Sequence, residues 1–496
     1  MSTYSLTQVA EHNTTSSCWV IIRNKVYDVT DFLFDHPGGP QVILSYGGQD
    51  ATAIYVPIHP SDALDKNISP EKHLGHLDEQ SIRHLKESKK IKSKTKDELR
   101  VEEAIRNKPP LSRMINVRDI EETAKNLLPY KAMAYYASAA DDSITHVENA
   151  RAFSRFFFHP RVMRKASVID TSTTMLGYKT SIPVYISGSA LAKLGHPLGE
   201  ANLTRAAYKM GILQMVSTNA SLSYGQIAAA RGSPDQPLFF QLYKHRNDET
   251  AAKRIKEVEL LGYKAIFLTV DALVPSNREL DTRAPHYLED IEKDSSAPSD
   301  VEKTDADILG TAGGLIINND ADMTWEKTIP WIRSVTKLPI VIKGTPFNNY
   351  TNPHSYLLQA FSDAVLAVEA SCDGIVLSNH GGRQLEYSLP PIELLYKIRQ
   401  QRPDVFEKTE VYIDGGIRRG TDVLKALCLG ARAVGLGRAF LYAQSAYGEA
   451  GVVQLVRILQ REIKFGMQSL GVQSVEQLVP ELVERVDWQP LLGAKL

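Results

Sequence analysis

The sequence predicts an α/β protein, a TIM (β/α)8 barrel preceded by a small α+β domain. Three observations carry this. Short apolar runs recur eight times from Pro183 onward, each followed by a stretch of helical character, as parallel strands with crossover helices require. Far upstream, a hairpin pattern leads into a His-Pro-Gly-Gly turn. Between the two lies a charge-rich segment, Lys86 to Lys108, with almost no aromatic residues. A chain of 496 residues exceeds one ordinary small domain. We place the boundaries at 1–85, 86–110 and 111–496.

The composition is globular, with 43% hydrophobic and 23% charged residues. A net charge of -1 gives no footprint for nucleic acid. Cys18, Cys372 and Cys428 are scattered, without metal-ligand or disulfide spacing. No run approaches the roughly 18 apolar residues that span a bilayer, so no membrane span is expected. Met1 leads straight into Tyr4-Ser5-Leu6-Thr7, with neither an apolar signal segment nor an Arg-rich targeting helix. The expectation is a cytoplasmic protein as the sequence stands.

In the first domain, Val20-Ile21-Ile22, a polar turn and Val26 to Val29 read as a hairpin. His36 follows in Phe32-Leu33-Phe34-Asp35-His36-Pro37-Gly38-Gly39, and His59 comes 23 residues later. Two imidazoles on opposite walls of an apolar pocket can fill both axial positions of haem iron, which leaves electron transfer as its task. The helical stretch Gln41 to Gly47 and the aliphatics Val42, Ile43, Leu44 and Ile54 would line the pocket. The bland alternative is a turn histidine and a surface histidine. Residues 86–110 read as a solvated linker or exposed helix tethering the two domains.

In the second domain, Ile120 to Ala124 and Met133 to Ala140 suggest helices ahead of the barrel. The strand candidates are Pro183 to Ile186, Ile212 to Val216, Leu238 to Tyr243, Ala265 to Val270, Pro339 to Ile342, Gly374 to Leu377, Val411 to Ile413 and Ala433 to Leu436. The longest excursion, about Pro285 to Asp320, shows no regular period and reads as a loop.

Chemistry in such a barrel sits at the C-terminal strand ends. After the sixth run comes Ser378-Asn379-His380-Gly381-Gly382-Arg383. A neutral imidazole there can take a proton, and a guanidinium can grip a carboxylate. Alone, the pair also fits a core histidine or a surface loop. Asp414-Gly415-Gly416-Ile417-Arg418 and Gly437-Arg438 follow the last two runs, where many barrels bind phosphate. Lys343 ends the fifth run, as a cation beside a reducible cofactor or as a Schiff-base lysine. Ser217, Gln241 and Thr269 lie at or near three further ends.

Together, the SNHGGRQL, DGGIRRG and GLGR segments resemble the FMN-dependent 2-hydroxy acid dehydrogenases and oxidases. Cys18-Trp19-Val20, the HPGG turn and His59 are similar to cytochrome b5, and the full chain is similar to the flavocytochrome b2 family of yeasts. The resemblance implies FMN and haem b, with His36 and His59 on the haem iron. It implies Asp414 on the ribityl hydroxyls, and Gly416, Arg418, Gly437 and Arg438 on the FMN phosphate. Ser217, Gln241 and Thr269 would bond the flavin ring, Lys343 would face its N1 and O2, and the backbone through Ser189 and Ala190 would pass behind it. His380 would be the base, held by Asp271. Tyr135 (in a YYAS element) and Arg383 would hold the substrate carboxylate, Tyr243 its hydroxyl, and Arg278 would assist.

The implied activity is oxidation of an L-2-hydroxy acid, by default L-lactate to pyruvate. Electrons would leave singly through haem to cytochrome c or another one-electron acceptor. The same chemistry on glycolate, mandelate or another acid, or with oxygen, stands as the alternative. A homotetramer is expected, and the mitochondrial intermembrane space if a presequence has been removed. Three positions depart from the pattern. Asn219 stands where leucine or tryptophan faces the substrate tail, Ala139 replaces a glycine, and Ala272 to Asn277 differ. Asn219 is expected to bear on substrate choice, since a buried amide needs polar partners.

Overall fold

A computed structural model describes residues 2–36, 39–91, 94–292, 310–344 and 362–488. Pro37 and Gly38 of the HPGG turn, and 293–309 of the long excursion, lie outside the described residues.

The N-terminal domain is a five-stranded sheet in the order Ser2–Tyr4, His73–Leu77, Lys25–Asp28, Ser17–Ile22 and Asn13–Thr14. Its hairpin turns through Arg23 and Asn24, both at positive φ (53° and 63°). Alternation along the strands sorts the side chains. Cys18, Val20, Ile22 and Tyr27 pack toward Phe32, Ile43, Leu44, Ile54 and Tyr55, while Ile21, Val26 and Leu77 pack with Val9 on the other face. The expected pocket therefore lies on the first face.

The charged segment is structured where it is described. A helix covers Lys96–Arg106, opened by a capping box in which Thr95 and Glu98 satisfy each other's backbone amides. Arg100 holds it to the next domain by bonds to the carbonyls of Asn126 and Leu128, at 2.8 and 2.7 Å.

Eight parallel strands close into a barrel in chain order, the eighth pairing back on the first. They are Val184–Ile186, Leu213–Ser217, Leu238–Leu242, Ile266–Thr269, Ile340–Lys343, Gly374–Leu377, Glu410–Asp414 and Ala433–Leu436, each within two residues of the expected run. Two layers fill the interior. The lower is apolar: Tyr185, Met215, Phe239, Phe267, Val341, Val376 and Tyr412, closed from below by Met175, Leu176 and Tyr178. Two positions further along the same strands stand Ser187, Ser217, Gln241, Thr269, Lys343, Ser378 and Asp414, all buried. A strand's period of two puts both sets on the inner wall. The change from apolar to polar within one strand turn is what places chemistry at the C-terminal end.

One expectation is corrected. The excursion after Pro285 begins as a helix, Glu279–Glu292, with Pro285 inside it. Leu280, Ala284, Tyr287, Leu288 and Ile291 recur at helical spacing. Ala284 is fully buried, and Tyr287 stacks on Tyr130 with ring centroids 4.1 Å apart. Among the described residues, no helix is long and apolar enough to cross a membrane.

Candidate active site

Many polar groups converge on a cavity over the polar layer. Its lining includes Tyr135, Ser189, Ala190, Ser217, Tyr243 and Lys343, with Arg278, His380, Arg383 and the loops after the last two strands. His380 and the two glycines after it all adopt left-handed backbone (φ 57°, 66° and 74°). At Gly382 a Cβ would lie 2.5 Å from the His146 nitrogen, so only glycine fits there.

That turn aims the His380 ring between two partners. Its Nδ1 lies 2.9 Å from Asp271 Oδ1, and its Nε2 lies 3.1 Å from the Tyr243 hydroxyl. An ionised carboxylate only accepts, so Nδ1 carries the proton and Nε2 is the basic nitrogen. Burial would raise the Asp271 carboxyl, but the Lys343 and His380 charges outweigh it and hold it near 2. Burial lowers the His380 imidazole below its ordinary range; Asp271 opposes this and Lys343 adds to it. The resting ring is therefore neutral above that lowered value.

Lys343 Nζ lies 3.7 Å from Asp271 Oδ2, 3.6 Å from Asp414 Oδ2 and 3.2 Å from Ser378 Oγ. Burial alone would lower its pKa, yet the two carboxylates raise it above the usual lysine value. A lysine held as ammonium between two carboxylates is poorly suited to Schiff-base attack.

Arg383 donates to the carbonyls of Tyr136 and Tyr135 at 2.9 and 3.0 Å, and its guanidinium lies 5.3 Å from the centre of the Tyr135 ring. Arg278 donates through Nε to Ser276 Oγ and to the Arg383 carbonyl, at 3.0 and 3.1 Å. Burial and then the Arg383 charge bring its pKa down to about 9. Two guanidiniums whose charges repel across this pocket favour a bound anion.

At the far end, Gly415 and Gly416 turn at φ 92° and 83°. The Arg418 side chain pairs with Glu121 at 2.6 Å, and its backbone amide with Asp422 at 3.0 Å. Arg438 bonds to the carbonyls of Tyr136, Gly381 and Ser138 and to His146 Nδ1, all at 2.9–3.0 Å. Burial and Arg438 drive the His146 pKa down to about 3, so the ring accepts as a neutral base. The structure thus gives Arg438 a joining role that its motif does not announce.

Gln241 and Thr269 sit behind this lining, the Gln241 Nε2 donating to Thr269 Oγ1 at 2.9 Å. Gln241 Oε1 is buried without a hydrogen-bond partner. A Cβ at Gly188 would lie 2.6 Å from it, so the wall there is shaped by the missing side chain. An orphan acceptor, a charged lysine and arginines beside glycine turns suit a flat cofactor with N–H donors and an anionic tail.

In the N-terminal domain, the His36 and His59 ring centroids stand 6.0 Å apart. Their Nδ1 atoms bond to the carbonyls of Gly39 and Tyr55, at 3.3 and 3.1 Å. Each Nδ1 therefore carries the hydrogen and each Nε2 a lone pair, the tautomer a metal ligand needs. Burial lowers both pKa values, that of His59 to about 4, which keeps the rings neutral. Tyr55 stacks on His59 at 4.1 Å. The pair fits bis-imidazole haem.

A family model described as FMN-dependent dehydrogenase matches residues 124–485. The chain belongs to this family. A second model, the cytochrome b5-like heme/steroid binding domain, matches residues 5–86. Among the similar relatives of this FMN-dependent dehydrogenase is the L-lactate dehydrogenase (cytochrome) of Wickerhamomyces anomalus. It is 44% identical over 96% of this chain and 79% of the relative. The enzyme of the same name from Saccharomyces cerevisiae is 41% identical with the same coverage. A solved structure of the recombinant flavin-binding domain of baker's yeast flavocytochrome b2 matches with a TM-score of 0.67 and 40% identity. The match covers 79% of this chain and 92% of that one. The protein is thus an oxidoreductase built for FMN and haem b.

Several residues of this dehydrogenase site escaped the motif reading. Glu121 and His146 come from helices ahead of the barrel, and Asn149 exchanges two amide bonds with Asn379, at 2.8 and 2.7 Å. Asn379 and Ser378 lie inside the quoted motif, and that adjacency was the available signal. Asn219 lines the cavity as expected, its amide donating to the Leu315 carbonyl at 3.2 Å.

Proposed function

We propose that this dehydrogenase oxidises an L-2-hydroxy acid, with L-lactate the first substrate to test, and passes the electrons through haem b to a one-electron carrier such as cytochrome c. The Asp271–His380–Tyr243 chain, set beside Arg383 and Arg278, carries the reading. The names of the two yeast relatives support lactate and a cytochrome. We read residues 1–85 as the haem unit, 86–110 as the joining segment and 111–496 as the flavin unit.

Arg383, with Tyr135 and Arg278 beside it, holds the substrate carboxylate and so fixes which face of C2 is presented. Tyr243 bonds the substrate hydroxyl. His380 Nε2 takes the proton released as the alcohol becomes a ketone. Asp271 stabilises the imidazolium that results, and Lys343 keeps Asp271 ionised. FMN, when bound, would supply the two-electron acceptor, and haem a one-electron relay. Ser189, Ala190, Ser217, Gln241, Thr269 and Lys343 would hold the flavin ring, Asp414 the ribityl chain, and Gly416, Arg418, Gly437 and Arg438 the phosphate. His36 and His59 would ligate the haem iron.

Asn219 supports a second reading, in which the preferred acid has a polar tail. Anaerobic stopped-flow absorbance across a panel of acids separates the two. Flavin bleaching fastest with L-lactate supports the first, and bleaching fastest with a longer polar acid supports the second. Bleaching with no 2-hydroxy acid would sink both. Oxygen consumption in place of cytochrome c reduction would point to an oxidase.

A further inference from the structure

The haem unit rests on the barrel at a small, specific contact. Lys66 Nζ reaches Glu257 Oε1 at 2.6 Å while also pairing with Asp62 at 3.1 Å. The same ammonium lies 5.9 Å from the centre of the Tyr224 ring. Lys193 Nζ donates to the Val56 carbonyl, and Ile58 packs on the main apolar cluster of the barrel.

These residues are placed tellingly at both ends. Val56 and Ile58 stand three and one positions before His59, in the turn that leads into it. Lys193 lies in the short turn Ala192–Leu194, directly after the Ser187-Gly188-Ser189-Ala190 stretch that lines the flavin cavity. Tyr224 and Glu257 stand on the helices Tyr224–Ala229 and Asp248–Leu260, which follow the second and third barrel strands. The contact therefore joins the turn before His59 to the continuation of the flavin cradle.

We propose that Lys193, Ile58 and the Lys66–Glu257 pair form the docking surface that holds the haem unit against the barrel, with Lys193 as its positioning residue. This rests on the two-cofactor reading above. The surface is built to release. The Lys66 and Glu257 side chains are 47% and 34% exposed, and an ion pair that open to water is weak and screened by salt. Lys193 is half-buried at the contact, and burial lowers its pKa. Among the described residues, docking draws on a desolvated ammonium–carbonyl bond, an apolar contact at Ile58, and the salt-sensitive Lys66–Glu257 pair beside Tyr224.

The test uses the full-length holoenzyme. Flavin bleaching and haem reduction are followed separately by anaerobic stopped-flow with L-lactate, and amide hydrogen exchange is measured without substrate. Lys193→Met is expected to leave flavin and haem content and the bleaching rate within twofold of the parent. Haem reduction should slow about tenfold, and the amides around Ile58 and Lys193 should lose protection. Glu257→Lys should slow haem reduction several-fold at low ionic strength, and the exchanged pair Lys66→Glu with Glu257→Lys should recover it. Unchanged haem reduction and unchanged protection in Lys193→Met, or no recovery in the exchanged pair, would overturn the proposal. If the parent flavin bleaches with no 2-hydroxy acid, the catalytic reading fails instead, and hydrogen exchange still decides the docking surface.

Discussion

At the scale of single residues, the site is governed by which groups surround the His380 ring. Replacing His380 with Gln keeps the shape and removes the proposed base. FMN should stay bound while turnover falls roughly 10²- to 10⁴-fold, as read by flavin bleaching. The base works only when deprotonated, so kcat/KM should fall as pH drops through the His380 pKa, which burial sets below the usual imidazole value. Asp271 opposes that lowering. Asp271→Asn should therefore move the acid limb to still lower pH while cutting turnover about 100-fold, on the order of one general-base contribution. A limb that moved upward would contradict the assignment. At the substrate tail, Asn219→Leu removes an amide from the wall beside Leu315. It should shift kcat/KM toward L-lactate over polar-tailed acids by about tenfold, a usual value for one pocket side chain.

At the scale of elements, strand periodicity set the site and long-range pairing finished it. Gly416 shows how tightly a strand-end loop is packed. A Cβ there would lie 2.1 Å from the Asn149 carbonyl, at a φ of 83°. Gly416→Ala should lose FMN, measured as flavin absorbance after gel filtration. At the joining helix, Thr95→Ala breaks the capping box and should cost about 1 kcal/mol, seen as a lower denaturation midpoint with an unchanged slope. The eight strands were legible because each is a short apolar run followed by a polar end. His380, Asp271, Lys343 and Arg383 were legible because they stand at those ends. The Arg438 carbonyl partners, the Arg418–Glu121 pair and the Asn149–Asn379 exchange were not. Apart from the Arg438–Gly381 bond, which spans 57 positions, each joins segments hundreds of positions apart, and no local pattern marks them. The helix Glu279–Glu292 was hidden for a local reason, since Pro285 reads as a break.

At the scale of the whole molecule, the haem unit and the barrel have distinct buried cores that touch through Ile58. Their stabilities should respond separately to their cofactors. FMN at 100 times its dissociation constant should add about 2.7 kcal/mol to the barrel. Calorimetry should then show the barrel transition rising with FMN while the haem Soret transition stays in place. A single transition moved by FMN would mean that the two units unfold together.

The Arg438 side chain also bears on how the enzyme is made. One guanidinium gathers carbonyls from Tyr136, Ser138 and Gly381, the first of them 302 positions upstream. The strand just before it, Ala433–Leu436, closes the ring. A ribosome adding roughly 5–20 residues each second would release the haem unit early, whereas the flavin site cannot assemble until nearly the whole chain has emerged. Growing chains would therefore be able to take up haem well before they can take up flavin. Any supply of the two cofactors would be used in that order.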